Sequence, residues 1–244
     1  MTIKALIFDF DGLILDTEVP IYQSWRELLQ DYGYNLTLHD WQICIGSAEG
    51  TGRFFQGLAD KLEKPLDMEV EAPKRLHREL EMIAGQPIMP GVEDYIQRAT
   101  AMGLKLGIAS SSPCKWVLGH LEQRELRDYF HCILAADDVG ATKPDPTLYL
   151  TALDCLGVSA NQAIAFEDSP NGVLAARRAG LYCVAVPNSL TSQLQIKHAD
   201  LQLGSLEDLD LDDLLELVNR EIAAKRTGQE ISPHTATATE QTRE

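Results

Sequence analysis

Apolar residues recur along this chain in two rhythms. Short unbroken runs at 5–8, 104–109, 132–135, 163–166 and 182–186 read as strands buried on both faces. Between and after them the spacing becomes helical, over 92–102, 116–126, 146–156 and 172–179, with Gly103, Gly157 and Gly180 placed to end three of these stretches. Strands that alternate with helices predict an α/β fold, a Rossmann-like doubly wound parallel sheet covered on both faces. The rhythm differs between 17 and 85. Ile21, Trp25, Leu28, Leu29 and Tyr32 follow helical spacing, with Gly33 placed to end that helix. Helical character continues through 58–62 and 74–83, with no strand pattern, until Pro90-Gly91 marks the return. The expected organisation is a core from 1–16 and 86–224, with a helical cap, 17–85, inserted after the first strand. Residues 205–224 read as a last helix, acidic at its start, where the helix dipole favours negative charge. From 225 to 244 the chain is rich in Thr, Ala and Gln and nearly free of large apolar residues, so a disordered tail is expected.

Composition narrows the partners. The 244 residues carry 45% hydrophobic side chains, enough for a substantial core, and a formal charge of −16. That charge argues against nucleic acid or anionic membrane as a partner. The apolar runs are far shorter than the roughly 20 residues needed to span a bilayer. The chain enters a strand directly after Met1-Thr2-Ile3-Lys4, so no signal peptide is expected. Five cysteines (Cys44, Cys114, Cys132, Cys155, Cys183) are scattered, odd in number and without a Cys-x-x-Cys pair. They predict a reduced, cytoplasmic setting with no zinc site and no disulfide framework.

The chemistry gathers where the apolar runs stop. The first run delivers Asp9 and Asp11, which alternation points the same way, with Gly12 freeing the backbone to turn. Two acids so close need a cation between them, or a proton on one. The second run ends in Ser110-Ser111-Ser112, the fourth in Glu167-Asp168, and Lys143-Pro144 follows the third. Parallel strands share one carboxyl edge, so these residues can converge. Hard carboxylate oxygens suit Mg²⁺, and lysine and serine suit phosphate oxygens. Several other residues take structural readings. Ser111 or Ser112 is expected to cap the next helix, Asp137 and Asp138 to serve as loop or capping acids, and Asp16 to bond backbone amides at the entry to the cap. His39, His77, His120, His131 and His198 show no ligand spacing and are read as surface residues. Trp25, Trp41 and Trp116 are read as packing.

In this order, Asp-Phe-Asp-Gly-Leu…Asp-Thr, Ile-Ala-Ser-Ser-Ser, Lys-Pro-Asp-Pro and Phe-Glu-Asp-Ser-Pro-Asn-Gly resemble the four signature motifs of the haloacid dehalogenase superfamily. The resemblance covers about 3–220 and is closest to the β-phosphoglucomutase-like branch, whose small helical cap follows the first motif. It implies that Asp9 attacks phosphorus and that Asp11 serves as general acid and base. It further implies Mg²⁺ held by Asp9, the Asp11 backbone carbonyl and Asp168, with Glu167 in or near the shell. Ser110, Ser111 and Lys143 would bind or neutralise the phosphoryl oxygens. Many relatives carry a histidine five residues beyond the last Asp of the first motif; this chain has Ile21. A cap arginine expected of the mutase is displaced, Arg53 being the nearest, while ungapped counting puts Arg78, with His77 adjacent, where the mutase carries a cap lysine. These departures favour a phosphatase acting on a small phosphomonoester, a sugar phosphate or nucleotide monophosphate, over a sugar phosphomutase, the enzymatic alternative. Asp11 and the Glu167-Asp168 pair speak against a dehalogenase. A remote alternative is a non-enzymatic receiver-like switch phosphorylated on Asp9, which would need neither Asp11 nor a cap. The partner expected is a small phosphorylated metabolite, and the enzyme is expected to be a monomer.

Overall fold

A computed structural model describes residues 2–46 and 48–227. The strands are β1 (Ala5–Phe8), β2 (Lys105–Ala109), β3 (Cys132–Leu134), β4 (Ala163–Glu167), β5 (Tyr182–Ala185) and β6 (Leu201–Gln202). The helices are α1 (Glu18–Gln30), α2 (Leu38–Trp41), α3 (Ala48–Gln56), α4 (Met68–Ala84), α5 (Val92–Ala101), α6 (Cys114–Gln123), α7 (Thr147–Leu156), α8 (Pro170–Arg178) and α9 (Leu211–Thr227). All the strands pair in parallel in the order β3-β2-β1-β4-β5-β6. The chain therefore starts at the middle of the sheet, builds one side with β2 and β3, and returns to build the other. The reversal lies between β1 and β4, the place where open α/β sheets form a ligand crevice.

Side-chain alternation divides each strand between two layers. Leu6 and Phe8 face a core with residues of α5, α6 and α9; Ala5 and Ile7 face a second core with residues of α7 and α8. Phe8 and Phe166, paired across β1 and β4, stack at 4.8 Å directly beneath the crevice. Residues between β1 and α5 form helices with their own apolar cluster around Trp25, Leu29, Trp41, Ile45 and Phe54. Within it Arg75 of α4 lies over the Trp25 ring of α1 at 4.4 Å and pairs with the buried Glu79.

Several expectations need correction. α4 begins at Met68, six residues before the expected start, and runs through Pro73; Asp67 sets its start by accepting from the Glu69 and Val70 amides. The stretch expected at 58–62 holds only a single 3-10 turn, Ala59–Lys61. α6 starts at Cys114 with no serine cap; Asp137 accepts from the Cys114 amide instead, at 2.6 Å. His120 is buried, stacked on Phe10. Cys132 of β3 and Cys155 of α7 form a disulfide, with Cα atoms 6.2 Å apart. Their pairing needs α7 laid against β3, which spacing alone does not reveal. The last helix begins at Leu211 and runs to Thr227, past the expected boundary; the rest of the expected tail, 228–244, lies outside the described residues. Among the described residues no helix is long and apolar enough to cross a membrane.

Candidate active site

Backbone bonds carry the sheet ladder past the strands and fix the residues that follow. The Asp9 amide donates to Phe166 O at 3.0 Å, the Ser110 amide to Leu134 O at 2.9 Å, and the Val186 amide to Glu167 O at 2.7 Å. Asp9 and Glu167 thus leave adjacent strands side by side. Lys143, 2% exposed, reaches between them: Nζ lies 2.6 Å from Asp9 Oδ1 and 2.6 Å from Glu167 Oε1. Glu167 also accepts from the Tyr149 hydroxyl. Asp168 accepts from Asn188 Nδ2 at 2.9 Å, and Asn188 is itself held by the Leu190 and Thr191 amides. Gly12, at φ +79°, lets the chain turn against this pair. A Cβ there would lie 2.3 Å from Asp168 Oδ2 and 2.5 Å from Asn188 Nδ2.

Above these groups is a cavity of about 190 Å³. Asp9, Asp11, Ser111, Ser112 and Lys143 line its sheet side, and Glu18, Ile21, Trp25, Trp41 and Cys44 line its helical side. Asp11 accepts from the Thr17, Ser110 and Ser112 hydroxyls and from the Trp116 indole. The Ser111 hydroxyl is buried with no hydrogen-bond partner.

The electrostatics are dominated by crowded acids. Burial, with Glu167 and Asp11 adding repulsion, pushes Asp9 up to about 7 despite the opposing pull of Lys143. Burial and the charges of Asp9, Glu18 and Glu167 push Asp168 well above the usual carboxylate range. Glu18 moves the same way, through burial first and then Asp11 and Asp9. Burial alone would depress Lys143, but Asp9 and Glu167 reverse it and hold the ammonium charged. Burial pushes the Cys44 thiol up to about 12, which leaves it no thiolate to act as a nucleophile near neutral pH. One oxygen from each of Asp9, Glu167 and Asp168 lies within 4.8 Å of the others. Three buried carboxylates facing a single lysine leave an excess of negative charge, and an all-oxygen donor set of this kind fits a hard divalent cation.

The structure thus brings together Asp9, Asp11, Ser110, Ser111, Lys143, Glu167 and Asp168. It does not bring Arg78 or His77. Both are exposed on α4, Arg78 pairing with Glu27 and Glu81 and His77 with Glu81, and neither lines the cavity. Arg53 is likewise exposed and outside the lining. Asp16 accepts from the Val19 amide, as expected of an entry residue. Sequence reasoning missed Glu18, Thr17, Tyr149 and Asn188, and read Ser112 and Trp116 as cap and packing. Asn188 follows β5 on the same carboxyl edge, a position that could have marked it.

A doubly wound sheet with carboxylates and a buried lysine at its reversal point defines an α/β enzyme whose reactive groups are acids. The chain belongs to the haloacid dehalogenase-like hydrolases, whose family model matches residues 6–186, and within them to the β-phosphoglucomutase-like branch. It is 46% identical over 217 residues to the Bacillus subtilis (strain 168) protein YhcW, whose name carries a provisional phosphatase label, covering 89% of this chain and 98% of that one. It is 32% identical to the phosphorylated carbohydrates phosphatase of Thermotoga maritima, covering 73% of this chain and 82% of the other. In structure it is similar to the β-phosphoglucomutase of Clostridium difficile, with a TM-score of 0.74, 25% identity and coverage of 91% and 99%.

Proposed function

We propose that this phosphoric monoester hydrolase moves the phosphoryl group of a small phosphorylated metabolite first to Asp9 and then to water. The observation that carries the reading is Lys143 seated 2.6 Å from both Asp9 and Glu167 beneath the cavity that Asp11 also lines. In the first half, an Asp9 oxygen attacks phosphorus, the bond to the leaving oxygen breaks, and Asp11 gives that oxygen a proton. In the second half, Asp11 takes a proton from water, the water oxygen attacks phosphorus, and the Asp9–phosphoryl bond breaks. Lys143 offsets the charge that builds on the transferring group, and Ser110 and Ser111 hold its oxygens. Mg²⁺ is the cation proposed for Asp9, Asp168, the Asp11 carbonyl and the adjacent Glu167; when bound it offsets the repulsion between Asp9 and a phosphate dianion.

Residues 17–85 act as the cap over a core of 1–16 and 86–224, closing the site to bulk water. A cavity of about 190 Å³ suits a small leaving group. Its size, together with the relative named for phosphorylated carbohydrates, favours a sugar phosphate over a nucleotide. Such charged esters stay in the compartment where they are made, so we place the enzyme in the cytoplasm on the strength of its substrate rather than of its cysteines, two of which form a disulfide; we read it as a monomer. The structural likeness to a β-phosphoglucomutase keeps a phosphomutase as the second reading. Against it stands Ile21 on the cavity wall, an apolar side chain with no base for a sugar hydroxyl. The test is a panel of sugar phosphates, sugar 1-phosphates and nucleotides, scored for Mg²⁺-dependent phosphate release. Release supports the hydrolase. Isomerised product without release supports the mutase, and neither product from any compound defeats both.

A further inference from the structure

Both oxygens of the Asp11 carboxyl are fully engaged. Thr17 Oγ1 and Trp116 Nε1 donate to Oδ1 at 2.7 Å and 2.8 Å; Ser112 Oγ and Ser110 Oγ donate to Oδ2 at 2.6 Å and 3.2 Å. These donors are not equivalent. A hydroxyl can rotate and become an acceptor, so Thr17, Ser110 and Ser112 can each face a protonated oxygen. An indole N–H only donates, and it cannot face an O–H across a hydrogen-bond distance. Trp116 is also held in place. Its ring meets the buried His120 edge-on at 4.5 Å and 82°, and His120 stacks on Phe10, the residue before Asp11. The indole therefore points at Oδ1 from a stack packed against the core, on the first turn of α6.

We propose that Trp116 is a positioning residue that decides which oxygen of Asp11 carries the transferable proton. By donating to Oδ1 it favours the bare, carbonyl-type oxygen there, the better acceptor, and biases the proton toward Oδ2, the oxygen turned toward Ser110 and Ser112. The proposal rests on the acid/base reading of Asp11 given above. As the leaving group departs, the Oδ2–H bond breaks, the new O–H bond forms on the leaving oxygen, and the electron pair of the broken P–O bond stays with that oxygen. In the second half the proton of the attacking water returns to Oδ2. Trp116 touches no reacting atom and acts only through the carboxyl it holds. Without its N–H the proton would spread over both oxygens and the carboxyl could turn.

Leaving groups differ in how much they need that proton. Nitrophenolate departs with little help, whereas phenolate depends on it more. The test measures kcat/KM with Mg²⁺ for p-nitrophenyl, p-chlorophenyl and phenyl phosphate in the wild type, Trp116→Phe and Asp11→Asn. Trp116→Phe should lose about tenfold more on phenyl than on p-nitrophenyl phosphate, part of the full effect of general acid catalysis. Asp11→Asn should steepen the dependence further. An equal loss on all three esters in Trp116→Phe, beside a steepened Asp11→Asn, overturns the positioning role and spares the acid/base reading. An unsteepened Asp11→Asn removes both. The wild-type protein gives a check that needs no variant to fold. The indole proton resonance of Trp116 should lie downfield of that of Trp41, whose buried N–H has no partner. Coincidence of the two would overturn the proposal.

Discussion

Lys143 supplies a single positive charge to a site that also holds Asp9, Glu167 and Asp168, all at least nine-tenths buried. Its two contacts at 2.6 Å fix the Asp9 carboxyl where a phosphoryl group can meet it. Asp9→Asn keeps the shape and removes the proposed nucleophile, so hydrolysis of p-nitrophenyl phosphate should fall to background, a loss on the order of 1,000-fold or more. An active Asp9→Asn protein would contradict the assignment. Asp11→Asn should cut turnover about 100-fold while Mg²⁺ affinity, followed by calorimetry, stays within a few-fold, because the side chain spends its bonds on Thr17, the serines and Trp116. At this scale the motif residues were legible, since each stands where an apolar run stops. Glu18 and Trp116 were not, because their roles depend on where a turn or a neighbouring helix puts them; Asn188 follows β5 on the same edge, but an amide does not stand out there as an acid does. Arg78 and His77 failed for a related reason. Counting back from Pro90-Gly91 fixes a position along α4 but not the side of the helix that faces inward; Arg75 takes the place against Trp25.

The elements matter through their ends. β4 hands over to α8 through two residues, Asp168 and Ser169, and the turn works because Ser169 caps α8 by accepting from the Gly172 amide at 3.1 Å. A Cβ on Gly172 would come within 1.8 Å of Glu167 Oε2, on the acid that holds Lys143. Gly172→Ala should therefore destabilise the fold by about 3 kcal/mol, read by chemical denaturation, and lower activity together with it. A wild-type midpoint would mean that the turn is looser than the structure shows. The five longer strands and most of the helices were visible as runs and periodicities. β6, two residues long, and α2, four residues long, are too short to show a period, and their existence depends on neighbours. The disulfide between β3 and α7 was invisible for the same reason: it is a property of how two elements pack.

Over the whole molecule the formal charge is −16, and the local field at the site has to work against it to admit an anion. A bound cation would relieve the crowding that drives Asp9 to about 7. The sign of the consequence is fixed by linkage. A carboxyl whose pKa is higher folded than unfolded holds more protons in the native state between those two values, so stability falls as pH rises through that interval. For Asp9 the interval runs from 3.8 to about 7, and burial shifts Asp168 and Glu18 in the same direction. The cation-free protein should lose thermal stability from pH 4 to pH 7. Millimolar Mg²⁺ should raise Tm more at pH 8 than at pH 5, with about 2.7 kcal/mol of stabilisation when the ion is at 100 times its Kd. An equal rise at both pH values would detach the cation from these acids. The most direct test of the mechanism is to trap its intermediate. The wild type and Asp9→Asn proteins are mixed with Mg²⁺ and p-nitrophenyl phosphate, quenched in acid within one turnover, and digested for mass spectrometry. The wild type should carry one added phosphoryl group on the peptide that contains Asp9, and Asp9→Asn should carry none. Phosphate release from the wild type with that peptide unmodified at every quench time would contradict covalent transfer through Asp9.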